Sequence, residues 1–108
     1  MTARRPLTVR HKFHAVACDV DGIRFDSKRE AAYYRQLKLR VLAGEVVTFL
    51  RQVPFHLPGG VRYVCDFLVF TAGGDVLFVD TKGVQTESFK AKKRMVEALY
   101  APITITLA

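Results

Sequence analysis

Cysteine is scarce in this chain of 108 residues, with Cys18 and Cys65 alone. Two thiols so far apart make neither a cysteine-based zinc site nor a disulfide framework, so both read as reduced, buried side chains. Histidine is equally thin. His11 and His14 have a spacing that can bind metal, but no cysteine or third histidine stands near them to complete a set. No apolar run approaches the roughly 20 residues of a membrane-spanning helix, and the start Met1-Thr2-Ala3-Arg4-Arg5-Pro6 has no apolar segment of the signal-peptide kind. The expectation is a cytoplasmic protein with no membrane partner. Acidic residues are outnumbered, 10 against 17 Lys and Arg.

What is present follows from that imbalance. A formal net charge of +7 and a pI near 9.8 point to a polyanionic partner, since attraction to phosphates is the commonest use of such an excess in a small domain. Half of the residues are apolar, as in globular proteins, and the length suits one domain near the low end of sizes that bury a proper core. Residues 1–14, with Arg4, Arg5, Arg10 and Lys12, read as a basic flexible arm whose Lys12 meets nucleic acid, or simply as a solubilising tail. Residues 15–108 read as the single folded domain.

Along that domain, alternation around Asp21-Gly22 predicts a short hairpin from Ala15 to Phe25, because Asp-Gly suits tight turns with positive φ. A helix follows to about Ala43, closed by Gly44. Ser27 and Glu30 have capping-box spacing. Yet Glu30 also shares a narrow arc with Tyr34, Leu37 and Val41 at about 3.6 residues per turn, which aims it inward. Both readings of Glu30 stand at this point. Asp26-Ser27-Lys28 is an acid-x-Lys triplet explained by capping. Val46 to Leu57 predicts a strand with Gln52 near its middle, and Pro54 within it suits an edge strand or a bulge.

Arg62 to Phe70 predicts the next strand, with Tyr63, Cys65, Phe67 and Val69 on one face. Asp66 falls on the other, among apolar neighbours, where an ionised carboxylate is rare without a cation or hydrogen bonds. The run Val76 to Val79 predicts a third strand, leading into Asp80-Thr81-Lys82-Gly83. Side chains alternate along a strand, so Asp80 and Lys82 share a face. If Ala72-Gly73-Gly74 is the loop, Thr71 meets Asp75 and the count sets Asp66 opposite Asp80. Two carboxylates facing across a ladder repel unless a cation lies between them.

Thr86 or Ser88 then caps a helix to about Tyr100, with Phe89, Val96, Leu99 and Tyr100 as its apolar side. Lys90, Lys93 and Arg94 cluster elsewhere on it, as a solvated face or as contacts to a phosphate backbone. Pro102 ends the helix, and Ile103 to Leu107 alternates as a last strand.

The order of helix, three antiparallel strands, helix and strand, with Glu30, Asp66 and Asp80-x-Lys82 in their places, resembles the PD-(D/E)xK nuclease superfamily. The implied fold is α/β with an α+β mixed sheet, a restriction-endonuclease-like αβββαβ core behind an N-terminal β-hairpin. More closely, Asp21-Gly22-x-x-Phe25-x-Ser27-x-x-Glu30, Gln52-x-x-Phe55, Tyr63-x-x-Asp66-Phe67 and Asp80-x-Lys82-Gly83-x-x-Thr86 look like a family of small phage-encoded endonucleases. The likeness covers about residues 12–107, with Cys65 where the name-giving motif has Pro. It implies that Asp66 and Asp80 hold Mg²⁺, with the Thr81 carbonyl as a further ligand and Glu30 assisting metal or water. Lys82 would orient or activate the attacking water, and Gln52 would bond that water or a phosphate, unless it is an ordinary polar residue on an edge strand. Mn²⁺ serves the same oxygen donors.

The function implied is metal-dependent hydrolysis of DNA phosphodiesters in recombination or phage DNA processing, on junctions or other structured substrates, with RNA left open. A nuclease-fold module that only binds nucleic acid is the alternative, and a basic subunit of a phage assembly is a third. The chain stops just after its fourth core strand, which leaves a small sheet and favours a homodimer or a partner protein.

Overall fold

Asp21 and Gly22 both take positive φ, 54° and 75°, as a two-residue type I′ turn requires. They join β1 (Cys18–Val20) to β2 (Ile23–Phe25) in an antiparallel hairpin with Cys18 opposite Phe25. This is the start of a computed structural model that describes residues 17–108. The basic arm with Lys12 therefore lies outside the described residues.

Helix α1 (Lys28–Leu42) begins at Ser27, whose Oγ accepts the Glu30 N–H at 3.1 Å. Only this half of the capping box forms. The Glu30 carboxylate turns away, and Glu30, Ala31, Tyr34 and Leu37 make the buried stripe of the helix. Of the two readings of Glu30, the inward one is found. After Gly44 the chain enters β3 (Val46–Leu57), a short 3₁₀ turn over Pro58–Gly60, then β4 (Val61–Thr71) and β5 (Val76–Asp80). Helix α2 (Glu87–Leu99), capped by Thr86, leads to β6 (Ile105–Leu107).

The main sheet has the order β3-β4-β5-β6, antiparallel except that β6 runs parallel to β5. The fold is thus mixed α+β, with the expected αβββαβ order behind a separate hairpin. Pro54 lies on β3, an edge strand of this sheet, where its missing N–H is tolerated.

Two apolar clusters hold these layers together. One joins α1 and Phe25 to Val46, Phe67, Val69 and Val79, and the other joins Phe89 and Val96 of α2 to Phe55, Tyr63, Cys65 and Ile105. The expected single face of β4 is therefore divided: Phe67 and Val69 pack with α1, while Tyr63 and Cys65 pack with α2. Within β3, Phe49 likewise joins the first cluster and Val53 and Phe55 the second. Both divisions bracket one place. Arg51 pairs with Phe67 and Val53 with Cys65, and Gln52 between them has φ of 56° and stands outside the ladder. The register is the same on both sides of this left-handed residue, and Asp66 lies across from it. The apolar side of α2 also differs from expectation, because Leu99 is 56% exposed on its last turn.

Candidate active site

The β4–β5 ladder pairs Phe67 with Val79 and Phe70 with Val76, and Thr71 N–H donates to Asp75 O at 2.9 Å. Continued by one residue, this register sets Asp66 against Asp80, as the three-residue loop requires. Asp80 is fully buried. Its Oδ2 accepts a 2.6 Å hydrogen bond from the Tyr63 hydroxyl and lies 3.9 Å from Lys82 Nζ, while its Oδ1 is buried with no hydrogen-bond partner. Asp66 is half-buried, and its Oδ2 accepts from both Thr81 N–H at 2.9 Å and Thr81 Oγ1 at 2.8 Å.

The third carboxylate comes from the start of α1. Glu30 Oε2 accepts from Gln52 Nε2 at 2.9 Å and meets Arg51 Nη2 at 3.4 Å. Arg51 in turn lies over the Phe25 ring, 4.4 Å from its centroid, so the hairpin, α1 and β3 are tied at one point. Glu30, Asp66, Thr81 and Lys82 line an open cleft of about 630 Å³. Its α1 side carries Lys28 and Arg29, its α2 side Thr86 and Phe89, and Lys82 Nζ stands 5.0 Å from the Phe89 ring centroid.

Burial shapes the charge of this site. Desolvation, then the Asp66 carboxyl beside it, raise Asp80 from 3.8 to about 7, against the Tyr63 hydrogen bond and the Lys82 charge. Desolvation and the charge of Asp66 raise Glu30 as well, opposed by Arg51. Burial pushes the Cys65 thiol up to about 12, which makes it inert and fits its reading as a core residue.

The donor set fits a hard divalent cation on one observation, the orphaned Oδ1 of Asp80. A buried carboxylate oxygen without a partner is unfavourable, and a cation shared with Asp66 would satisfy it. Among the described residues no three His, Cys, Asp or Glu side chains stand at metal-ligand spacing. A cation here would therefore rest on Asp66 and Asp80, with main-chain or water oxygens completing its shell.

Residues 10–108 match the family described as proteins of unknown function, DUF1064. The chain belongs to that family. No curated protein and no solved structure matches it. For this DUF1064 member the site must accordingly be read from its own geometry.

Of the residues singled out in the sequence, Glu30, Asp66, Asp80, Thr81 and Lys82 come together. Gln52 is exposed and does not line the cleft, and its amide donates to Glu30 Oε2. Lys90, Lys93 and Arg94 do not line the cleft. Lys90 pairs with Glu87 at 3.4 Å, and Lys93 pairs with Glu97 at 3.1 Å, because the turns of α2 stack these residues three and four apart. Lys92, between them, is the one that lines a groove beside Lys82. Sequence reasoning missed Arg51, the hydrogen bond of Tyr63 and the double donation by Thr81. A cation set inside the apolar strand Val46 to Leu57 was the available signal for Arg51.

Proposed function

We propose that this chain is a Mg²⁺-dependent endonuclease that hydrolyses DNA phosphodiester bonds, with Mn²⁺ as an alternative ion. The observation that carries the reading is the strand register whose continuation sets Asp66 against a buried, half-satisfied Asp80, beside a cleft bordered by Lys28, Arg29 and Lys82. A domain that only binds phosphates has no use for converging carboxylates, which repel them. The charge of +7 supports a polyanionic substrate.

Asp66 and Asp80 would hold the cation, with a Thr81 main-chain oxygen as a further donor. When bound, such an ion acidifies a water and neutralises charge on the phosphate. Tyr63 fixes the rotamer of Asp80, and Thr81 fixes that of Asp66 by two hydrogen bonds. Lys82 Nζ, tethered by Asp80 and the Phe89 ring, orients the attacking water or donates to a phosphoryl oxygen. Glu30, held by Arg51 and Gln52, faces the cleft as an acceptor for water. Lys28 and Arg29 position the backbone next to the reacting phosphate.

No helix among the described residues is long and apolar enough to cross a membrane. The setting we propose is phage DNA processing or recombination in the cytoplasm, with a homodimer or partner protein completing the contacts to a junction or other structured DNA. The test is cleavage of supercoiled plasmid and of a four-way junction in Mg²⁺, Mn²⁺ and EDTA. The wild type should give metal-dependent products, which Asp80→Asn and Lys82→Ala should abolish. Tight DNA binding with no products in either metal would overturn the enzyme and leave a nucleic-acid-binding module; RNA cleaved in preference to DNA would correct the substrate.

A further inference from the structure

A second groove, of about 260 Å³, opens beside the cleft and shares Lys82, Thr86 and Phe89 with it, so the two are continuous. Arg62 at the start of β4, Lys82 after β5 and Lys92 on α2 bring three cations from three elements to this groove. Among the described residues neither Arg62 nor Lys92 forms an ion pair, and no carboxylate lines the groove. The contrast with Lys90 and Lys93, each neutralised by an acid of its own helix, is sharp. Lys82 is paired with Asp80, but the uncompensated charges of Arg62 and Lys92 on one concavity raise its potential, and an anion relieves it. Ser88, in the first turn of α2, adds a hydroxyl donor to the same wall.

We propose that this groove binds a phosphodiester adjacent to the one that is cut, with Arg62 and Lys92 as its contacts. The proposal rests on the endonuclease reading and extends it to the path of the strand. Lys28 and Arg29 flank the acids on the α1 side, the groove on the α2 side, so one backbone enters past α1, crosses Asp66 and leaves between Arg62 and Lys92. A substrate needs phosphates on both sides of the cut to fill this path. Internal linkages are therefore preferred over terminal ones.

The test is the salt dependence of binding to a fluorescent DNA duplex, with Ca²⁺ in place of Mg²⁺ to hold the cation site without turnover. Arg62→Gln and Lys92→Gln should each lower the slope of log affinity against log salt by about one, and the pair by about two. Lys38→Gln, paired with Asp21 and outside the linings of both cleft and groove, should leave the slope unchanged. Unchanged slopes for Arg62→Gln and Lys92→Gln overturn the groove, as does an equal fall for Lys38→Gln, which would make net charge the cause. Wild type that does not bind DNA overturns groove and endonuclease alike. Wild type that cuts DNA while both groove variants keep its slope overturns the groove alone, and wild type that binds with the expected slopes yet never cuts overturns only the enzyme.

Discussion

Tyr63 donates a 2.6 Å hydrogen bond to Oδ2 of Asp80, a carboxylate with 0% of its surface exposed, and Oδ1 of the same group has no partner. A carboxylate satisfied on one side only is stable as the acid or beside a cation, and much less so as a bare anion. Its pKa is raised in the fold, from 3.8 to about 7. A folded value above the unfolded one contributes stability that is complete below the unfolded pKa and is lost as pH rises through the folded pKa. The metal-free protein should therefore lose thermal stability between pH about 4 and about 7. Asp80→Asn should flatten that loss and unfold above wild type at pH 8 in EDTA, while Mg²⁺ raises the Tm of wild type only. A variant several degrees less stable than wild type at pH 8 in EDTA would show that the bare carboxylate carries no such penalty.

Lys82 separates chemistry from folding. It is about a third exposed, and its pair with Asp80 at 3.9 Å is long, so its contribution to stability is small. Lys82→Ala should unfold within about 1 kcal/mol of wild type, yet lose about 10²- to 10⁴-fold in single-turnover cleavage, the range of a positioned acid–base group. Cleavage within a few-fold of wild type would remove Lys82 from the mechanism.

How far the sequence foretold this site depends on how local each signal is. The Asp-Gly turn, the Ser27 cap and the loop that sets Asp66 against Asp80 are written within a few residues of where they act, and each forms as expected. Arg51 meets Glu30 across 21 residues of chain, and only the packing of α1 on β3 creates the pair. The division of β4 between two clusters follows from α1 packing on one stretch of the sheet and α2 on another, and the left-handed φ of Gln52 falls on a residue with no intrinsic preference for it. The ion pairs of α2 were beyond local reading for a similar reason. Periodicity groups Lys90, Lys93 and Arg94, but Glu87 and Glu97 decide which of the lysines keep a free charge.

Gln52 itself gives a test of strain at the site. Its φ of 56° costs a non-glycine residue roughly 1–2 kcal/mol, while its hydrogen bond to Glu30 returns a net of about 0.5–1.5 kcal/mol. Gln52→Gly loses the bond and relieves the strain, so urea unfolding should stay within about 1 kcal/mol of wild type. Gln52→Ala loses the bond and keeps the strain, and should fall about 1 kcal/mol below the glycine variant. Cleavage should drop to the same degree in both, since each frees Glu30. Equal stability of the two variants would mean that the kink is unstrained.

Glu97 supports the cleft from α2. Its Oε2 accepts the Ile105 N–H at 2.8 Å and pairs with Lys93 Nζ at 3.1 Å, fastening α2 to β6. β6 in turn pairs Leu107 with Asp80, and Ala108 N–H donates to Asp80 O at 2.9 Å, so the last strand backs the residue on which the proposed chemistry depends. The Ile105 N–H and then Lys93 hold the Glu97 carboxyl below its ordinary 4.5, against desolvation. A depressed pKa contributes stability that is present above the unfolded value and lost as pH falls through the folded one. Wild type should thus lose stability on the acid side of pH 4.5, and Glu97→Gln, whose amide oxygen still accepts from Ile105, should lack that part of the loss. Glu97→Ala leaves the Ile105 N–H without its acceptor and should cost about 1–3 kcal/mol. Amide exchange at Ile105 should quicken in the alanine variant and much less in the glutamine variant. If cleavage falls with the alanine variant and survives the glutamine one, β6 positions Asp80 through this bond; equal activity in both would confine Glu97 to stability.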